Sequence, residues 1–259
     1  MNAIRIWAVG VNSFREIIRE RILYAIGIFA LIMVAAWQIL PEVAVSAQGK
    51  MMLDLGLAVA QILGTVIAVF VGCNLISKEI DRKTILALIP KPVSRAELII
   101  GKHLGLSAVM AVMVVGMMAI YLGILSIAKI PYQATPLIIS GCFLFLELMV
   151  MVSVSLMFGS MTSSLLATLM TALIWFAGHG TQGMVERTNS GVASGSVLRK
   201  TSDIMFMILP DLSRLDLKNL AVYGDLPSAA VLWSSVGYAL LFTAIFLGIT
   251  IGIFSRRQF

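Results

Sequence analysis

One carboxylate, Glu147, lies deep inside an apolar run of this 259-residue sequence. An acid in hydrocarbon is expensive, so such residues face other helices, hold a proton or serve transport. A second feature lies downstream. Ser164, Thr168, Thr171, Trp175, His179, Gln182 and Glu186 recur at intervals of three and four, which sets them on one helix face among Leu, Ala, Met, Ile, Phe and Gly. Two chemistries suit that stripe: hydrogen-bonding glue between helices, or the lining of a passage with His179 and Gln182 at its outer mouth. Glu147, Thr168, Thr171, Trp175, His179 and Gln182 are the candidates for such a lining.

Catalytic and metal signatures are not found. Gly101-Lys102-His103 lacks the upstream glycine and the hydroxyl residue of a phosphate loop, and neither His-Glu-x-x-His nor Gly-x-Ser-x-Gly occurs. The 16 methionines, with Met149/Met151 and Met205/Met207 among them, invite Cu(I), which thioether ligands suit. Methionine is equally a flexible apolar filler, and no Met-x-x-Met array is paired with Cys or His here. His103 and His179 are expected on opposite sides of a membrane, so they do not share a metal. Cys73 and Cys142 differ in expected depth by roughly 15–20 Å at helical rise, too far for a disulfide.

The elements holding these residues are membrane helices. Hydrophobic residues make up 59% of the chain and charged residues only 12%, about half the charge of a water-soluble domain. Apolar runs at about 22–40, 55–77, 104–128, 136–159, 163–183 and 228–254 give six expected spans. Residues 1–21 are too charged to cross. Ile4, Trp7, Ala8, Val11, Phe14 and Ile18 fall on one side of a helix there, opposite Arg5, Asn12, Ser13, Glu16 and Glu20, which describes an amphipathic helix lying in the interface. A signal peptide with a cleavage site near Val45-Ser46-Ala47 competes, but the first apolar run is longer than a signal core. Of the 19 Lys and Arg, 12 fall on one side of the six-span arrangement (four in residues 1–21, six between Lys78 and Lys102, and Arg256 and Arg257). The positive-inside bias makes both termini cytoplasmic, and the expected location is a prokaryotic inner membrane. The basic residues flank spans and form no groove interleaved with aromatics, so nucleic acid is not an expected partner, whereas membrane lipid is. Domains are thus 1–21, the interfacial helix, and 22–259, the transmembrane unit. Residues 184–227 form an extracytoplasmic loop, where Leu212, Leu215 and Leu220 alternate with Asp211, Arg214, Asp216 and Lys218 as in a short interfacial helix.

The densest island of charge, 76–103, forms a helix-turn-helix elbow. Glu79 and Lys83 pair at i and i+4 on an emerging helix, Pro90 and Pro92 stop it, and Ser94 with Glu97 restarts it as a capping box. Two helices joined at a Pro-Lys-Pro corner form a stiff surface suited to taking force from a soluble partner. Leu75-Ile76-Ser77-Lys78-Glu79, Arg82-Lys83-Thr84, Lys91-Pro92-Val93-Ser94-Arg95 and Gly101-Lys102-His103-Leu104-Gly105 resemble the first cytoplasmic loop of type-2 ATP-binding-cassette (ABC) exporter permeases. The resemblance implies an all-α membrane subunit whose elbow sits against a separate ATPase, with Glu79, Asp81, Arg82, Lys83 and Arg95 as the contact residues. It also implies two ATPase copies carrying ATP and Mg2+, a second permease subunit, and no cofactor on this chain. An ATP-independent carrier or channel, and a permease of copper-enzyme maturation, are the alternatives.

Overall fold

The computed structural model describes residues 2–18, 22–43, 48–81, 94–189 and 210–256, and all regular structure among them is helical. In chain order the helices are α1 (Ala3–Ile17), α2 (Leu23–Val43), α3 (Gln48–Asp81), α4 (Arg95–Ile127), α5 (Ala134–Met161) and α6 (Ser164–Asn189). A 3-10 turn (Leu212–Arg214), α7 (Lys218–Tyr223) and α8 (Ala229–Arg256) follow. Five of these, α2, α3, α4, α5 and α8, are long and apolar enough to cross a membrane. The fifth expected span is α6. Among the described residues its apolar stretch, Ser164–Gly180, is shorter than the five.

α5 is the core of the bundle and packs on α3, α4, α6, α7 and α8. A central helix in hydrocarbon cannot leave hydroxyls unsatisfied. Ser153, Ser155 and Ser160 are buried on it, and each donates to the carbonyl three residues back, at 2.6, 2.8 and 2.7 Å. Pro136 falls in the first turn, where its missing N–H costs no helical bond.

α4 opens with the expected capping box. The Glu97 amide donates to Ser94 Oγ at 3.2 Å, and the Ser94 amide donates to Glu97 Oε2 at 2.9 Å. The other Glu97 oxygen accepts the Asn2 amide at 2.6 Å, which ties the start of α1 to the start of α4. Arg95 donates to the Phe254 and Ser255 carbonyls at 2.8 and 2.9 Å, a cation on the last carbonyls of α8. The starts of α1 and α4 and the end of α8 therefore meet at one end of the bundle.

The face α1 turns to the bundle differs from its expected apolar side. Gly10, Ser13 and Ile17 are buried, while Ile4 and Trp7 are 77% and 73% exposed. Close approach rather than bulk selects this face: a Cβ on Gly105 would lie 2.5 Å from the Gly10 carbonyl oxygen, and one on Gly101 would lie 2.7 Å from Val9 Cβ. Gly101 and Gly105 thus act as a small-residue seam. Gly248 and Gly252, the other pair with that spacing, face open space.

Candidate functional site

Glu147 lies midway along α5, where its side chain is 1% exposed. It receives two donors from neighbouring helices. Gln61 Nε2 of α3 reaches Oε2 at 2.9 Å, and Trp175 Nε1 of α6 reaches Oε1 at 3.0 Å. One turn beyond Trp175, His179 Nε2 stands 3.4 Å from Glu147 Oε1 and 3.0 Å from Gln61 Nε2. The His179 ring stacks at a tilt on Trp175, 4.8 Å between centroids, and its Nδ1 lies 3.1 Å from the Trp175 carbonyl.

The cluster is closed from outside by the segment that follows Pro210. Leu212, Leu215 and Leu217 are buried against the bundle, which carries Asp216 and Lys218 inward between them. Lys218 Nζ donates to Asp216 Oδ2 at 2.9 Å and to Gln61 Oε1 at 2.7 Å. Asp216 Oδ2 is 4.0 Å from His179 Nε2. Three long helices and one surface segment thus converge on Gln61, Glu147, Trp175, His179, Asp216 and Lys218. The gap left among Gln61, Ser140, Glu147, Asp216 and Lys218 is about 10 Å3, room for about one water and for no cargo. This arrangement can hold a proton and brace helices.

The expected stripe on α6 faces its own bundle along the described part. Thr171 is buried, donates to the Ala167 carbonyl at 2.8 Å and lies 3.5 Å from Cys73 Sγ of α3. Thr168 is half-buried and donates to the Ser164 carbonyl at 2.8 Å. Ser164 Oγ bonds Asn74 of α3. Gln182 lies on the last turns of α6. The structure brings Glu147, Trp175 and His179 together and places Thr168 and Thr171 further along the same helix. His103 is elsewhere, against the Met149 carbonyl at 3.3 Å.

Three members of the cluster escaped the sequence reading. Gln61 had a usable signal, since an amide within the apolar run 55–77 is as much a candidate for interhelical bonding as an acid is. Asp216 and Lys218 read only as the polar face of a surface helix. The partner of Lys218, Gln61, is 157 positions away.

Of the elbow candidates, Glu79 and Asp81 fall on the last turn of α3 and Arg95 on the first turn of α4, where it caps α8. Arg82, Lys83 and the Pro90-Lys91-Pro92 corner lie outside the described residues, as does the apolar run 204–209.

Against known families, the model of the ABC-2 family transporter proteins matches residues 7–259. No curated protein matches the chain. Proteins of this family are membrane components that work with an ABC ATPase and are not themselves ATPases. With apolar helices of membrane-crossing length and a match over nearly its whole length, the chain belongs to the ABC-2 transporter family, as an integral-membrane permease component of an ABC transporter.

Proposed function

We propose that the chain is the membrane-spanning half of an exporter driven by ATP hydrolysis on a separate subunit. α6 serves as its sixth span, and both termini lie in the cytoplasm of a prokaryotic cell. α1, with Ile4 and Trp7 turned outward, lies along the inner membrane surface. Two copies, or one copy and a paralogue, form the pathway, and a pair of ATPases carrying ATP and Mg2+ docks beneath the elbow. Glu147, Thr168, Thr171, Trp175, His179 and Gln182 border that pathway, either as lining or as the bracing that holds its walls.

The observation that carries this reading is the length and placement of α3. Its 34 residues rise ~50 Å at 1.5 Å each, against a hydrocarbon core of ~30 Å. Its surplus supports a rigid extension bearing Glu79 and Asp81, and the capped start of α4 supports a second rigid arm. ATP-driven closure of the ATPases would push the elbow between these arms, and the two helices would tilt as levers. Through Glu97 and Arg95 the same push reaches α1 and α8.

Co-purification with a candidate ABC ATPase tests the reading. Alanine at Glu79, Asp81, Arg82 and Lys83 together should release the ATPase while leaving the permease folded. Undiminished capture by that variant would refute docking at the elbow. An ion-coupled carrier is the second reading, favoured by the buried Glu147–His179 pair, since intramembrane acids and histidines mark proton relays. Activity retained without any ATPase would favour it.

A further inference from the structure

We infer that His179 and Gln61 form a proton-binding site whose occupancy decides whether the surface segment bearing Lys218 stays tied to α3. The argument follows from counting donors. The Lys218 ammonium can only donate, so the Gln61 atom 2.7 Å from it is the amide oxygen. The amide nitrogen then points inward, and its two hydrogens go to Glu147 Oε2 at 2.9 Å and His179 Nε2 at 3.0 Å. Nε2 must accept, which leaves the single ring proton on Nδ1, where the Trp175 carbonyl receives it at 3.1 Å. In this arrangement His179 is the neutral Nδ1–H tautomer and every donor of the amide is used.

A proton arriving at Nε2 turns that acceptor into a donor, and two N–H groups then face each other at 3.0 Å. The Gln61 amide escapes this clash by rotating half a turn, which presents its oxygen to the imidazolium and to Glu147 Oε2, a position that suits the protonated carboxyl, and presents its NH2 to the Lys218 ammonium. Neither of those last two groups can accept. Lys218 loses its link to α3 and keeps Asp216 alone. The new imidazolium gains Glu147 Oε1 at 3.4 Å and Asp216 Oδ2 at 4.0 Å, two contacts already in place for it.

Charged groups reach the surroundings of His179 from two elements. α5 contributes Glu147, and the surface segment contributes Asp216 and Lys218. α3 contributes the uncharged Gln61. Beyond Asp216, Arg214 and Asp211 pair with each other at 3.1 Å, and Glu186 and Arg187 follow about two turns on along α6 itself.

The test uses the full chain in nanodiscs, with Cys142→Ser to remove the exposed thiol and Asn219→Cys carrying a trifluoromethyl label attached beforehand. Fluorine NMR is then followed from about pH 8 to about pH 5, across the usual histidine range. Wild type should show a tied resonance giving way to a released one. The ratio should move by up to about tenfold, the limit that a tenfold difference in proton affinity between the two arrangements sets. His179→Gln should abolish the pH dependence. Gln61→Glu, whose carboxylate accepts from Lys218 and the imidazolium alike, should stay tied throughout, and Lys218→Met should be released throughout. A pH-invariant wild type would overturn the inference, as would a His179→Gln protein titrating like wild type. Should His179→Gln fail to fold, Gln61→Glu decides, and a titration retained there would equally overturn it.

Discussion

Glu147 is held by donors from two other helices, so the cost of losing it depends on what remains to accept them. Alanine strands the Gln61 amide and the Trp175 indole in a buried site, and each stranded group costs about 1–3 kcal/mol. Glutamine keeps the size and one acceptor. Thermal unfolding in nanodiscs should therefore rank wild type above Glu147→Gln and Glu147→Gln well above Glu147→Ala; equal losses for the two variants would mean that the carboxylate's charge, not its acceptors, is what α5 supplies. Glu147 and the α6 stripe were legible in the sequence because a charged or hydroxyl side chain stands out against Leu and Ala. Gln61 was passed over because it carries no charge. Asp216 and Lys218 were unreadable for a different reason: the buried leucines at 212, 215 and 217 turn them toward the bundle, and no local pattern encodes that Asp216 meets His179 or that Lys218 meets Gln61.

Helices in this chain are fastened by small residues and by their ends. A side chain on Gly105 would collide with the Gly10 backbone, which cannot give way as a flexible side chain can. Gly105→Val should thus cost about 1–3 kcal/mol and expose residues 2–18 to protease. Gly248→Ala meets nothing within 4 Å and should be neutral or gain about 0.5–1 kcal/mol from helix propensity. If both substitutions proved equally harmless, the α1–α4 seam would not be a close contact. Ser94→Ala removes a cap worth about 1 kcal/mol and should loosen the start of α4, measurable as faster amide exchange over its first turn. That capping box was visible in the sequence as Ser and Glu three apart. The buried face of α1 was not, since hydrophobicity marks Ile4 and Trp7, whereas the contact is made where glycine and serine let two backbones approach. Arg95 shows the same limit. It read as part of a charged contact surface, and only the folded chain brings it to the α8 carbonyls.

At the scale of the molecule, one end of the bundle gathers the starts of α1 and α4 and the end of α8, and part of the way toward the other end a surface segment closes over Glu147 and His179. Apolar run length predicts six spans. Among the described residues five helices meet that standard, and α6, whose described apolar stretch is shorter, is bonded to α3 and α5 through its polar stripe. Helix count and membrane class are set by composition, which any sequence displays. How the helices are tied to one another depends on single long-range bonds, which it does not. In the proposed mechanism this subunit contributes levers, and the energy enters from outside through the elbow. The most direct check places an environment-sensitive fluorophore at Thr84→Cys in the full chain, in a background lacking Cys142, and adds ATP with hydrolysis arrested by vanadate. A shift in emission that requires the partner ATPase, and disappears when that ATPase cannot bind ATP, is the expected result. The same shift without the ATPase, or none when the assembled complex is trapped, would contradict it.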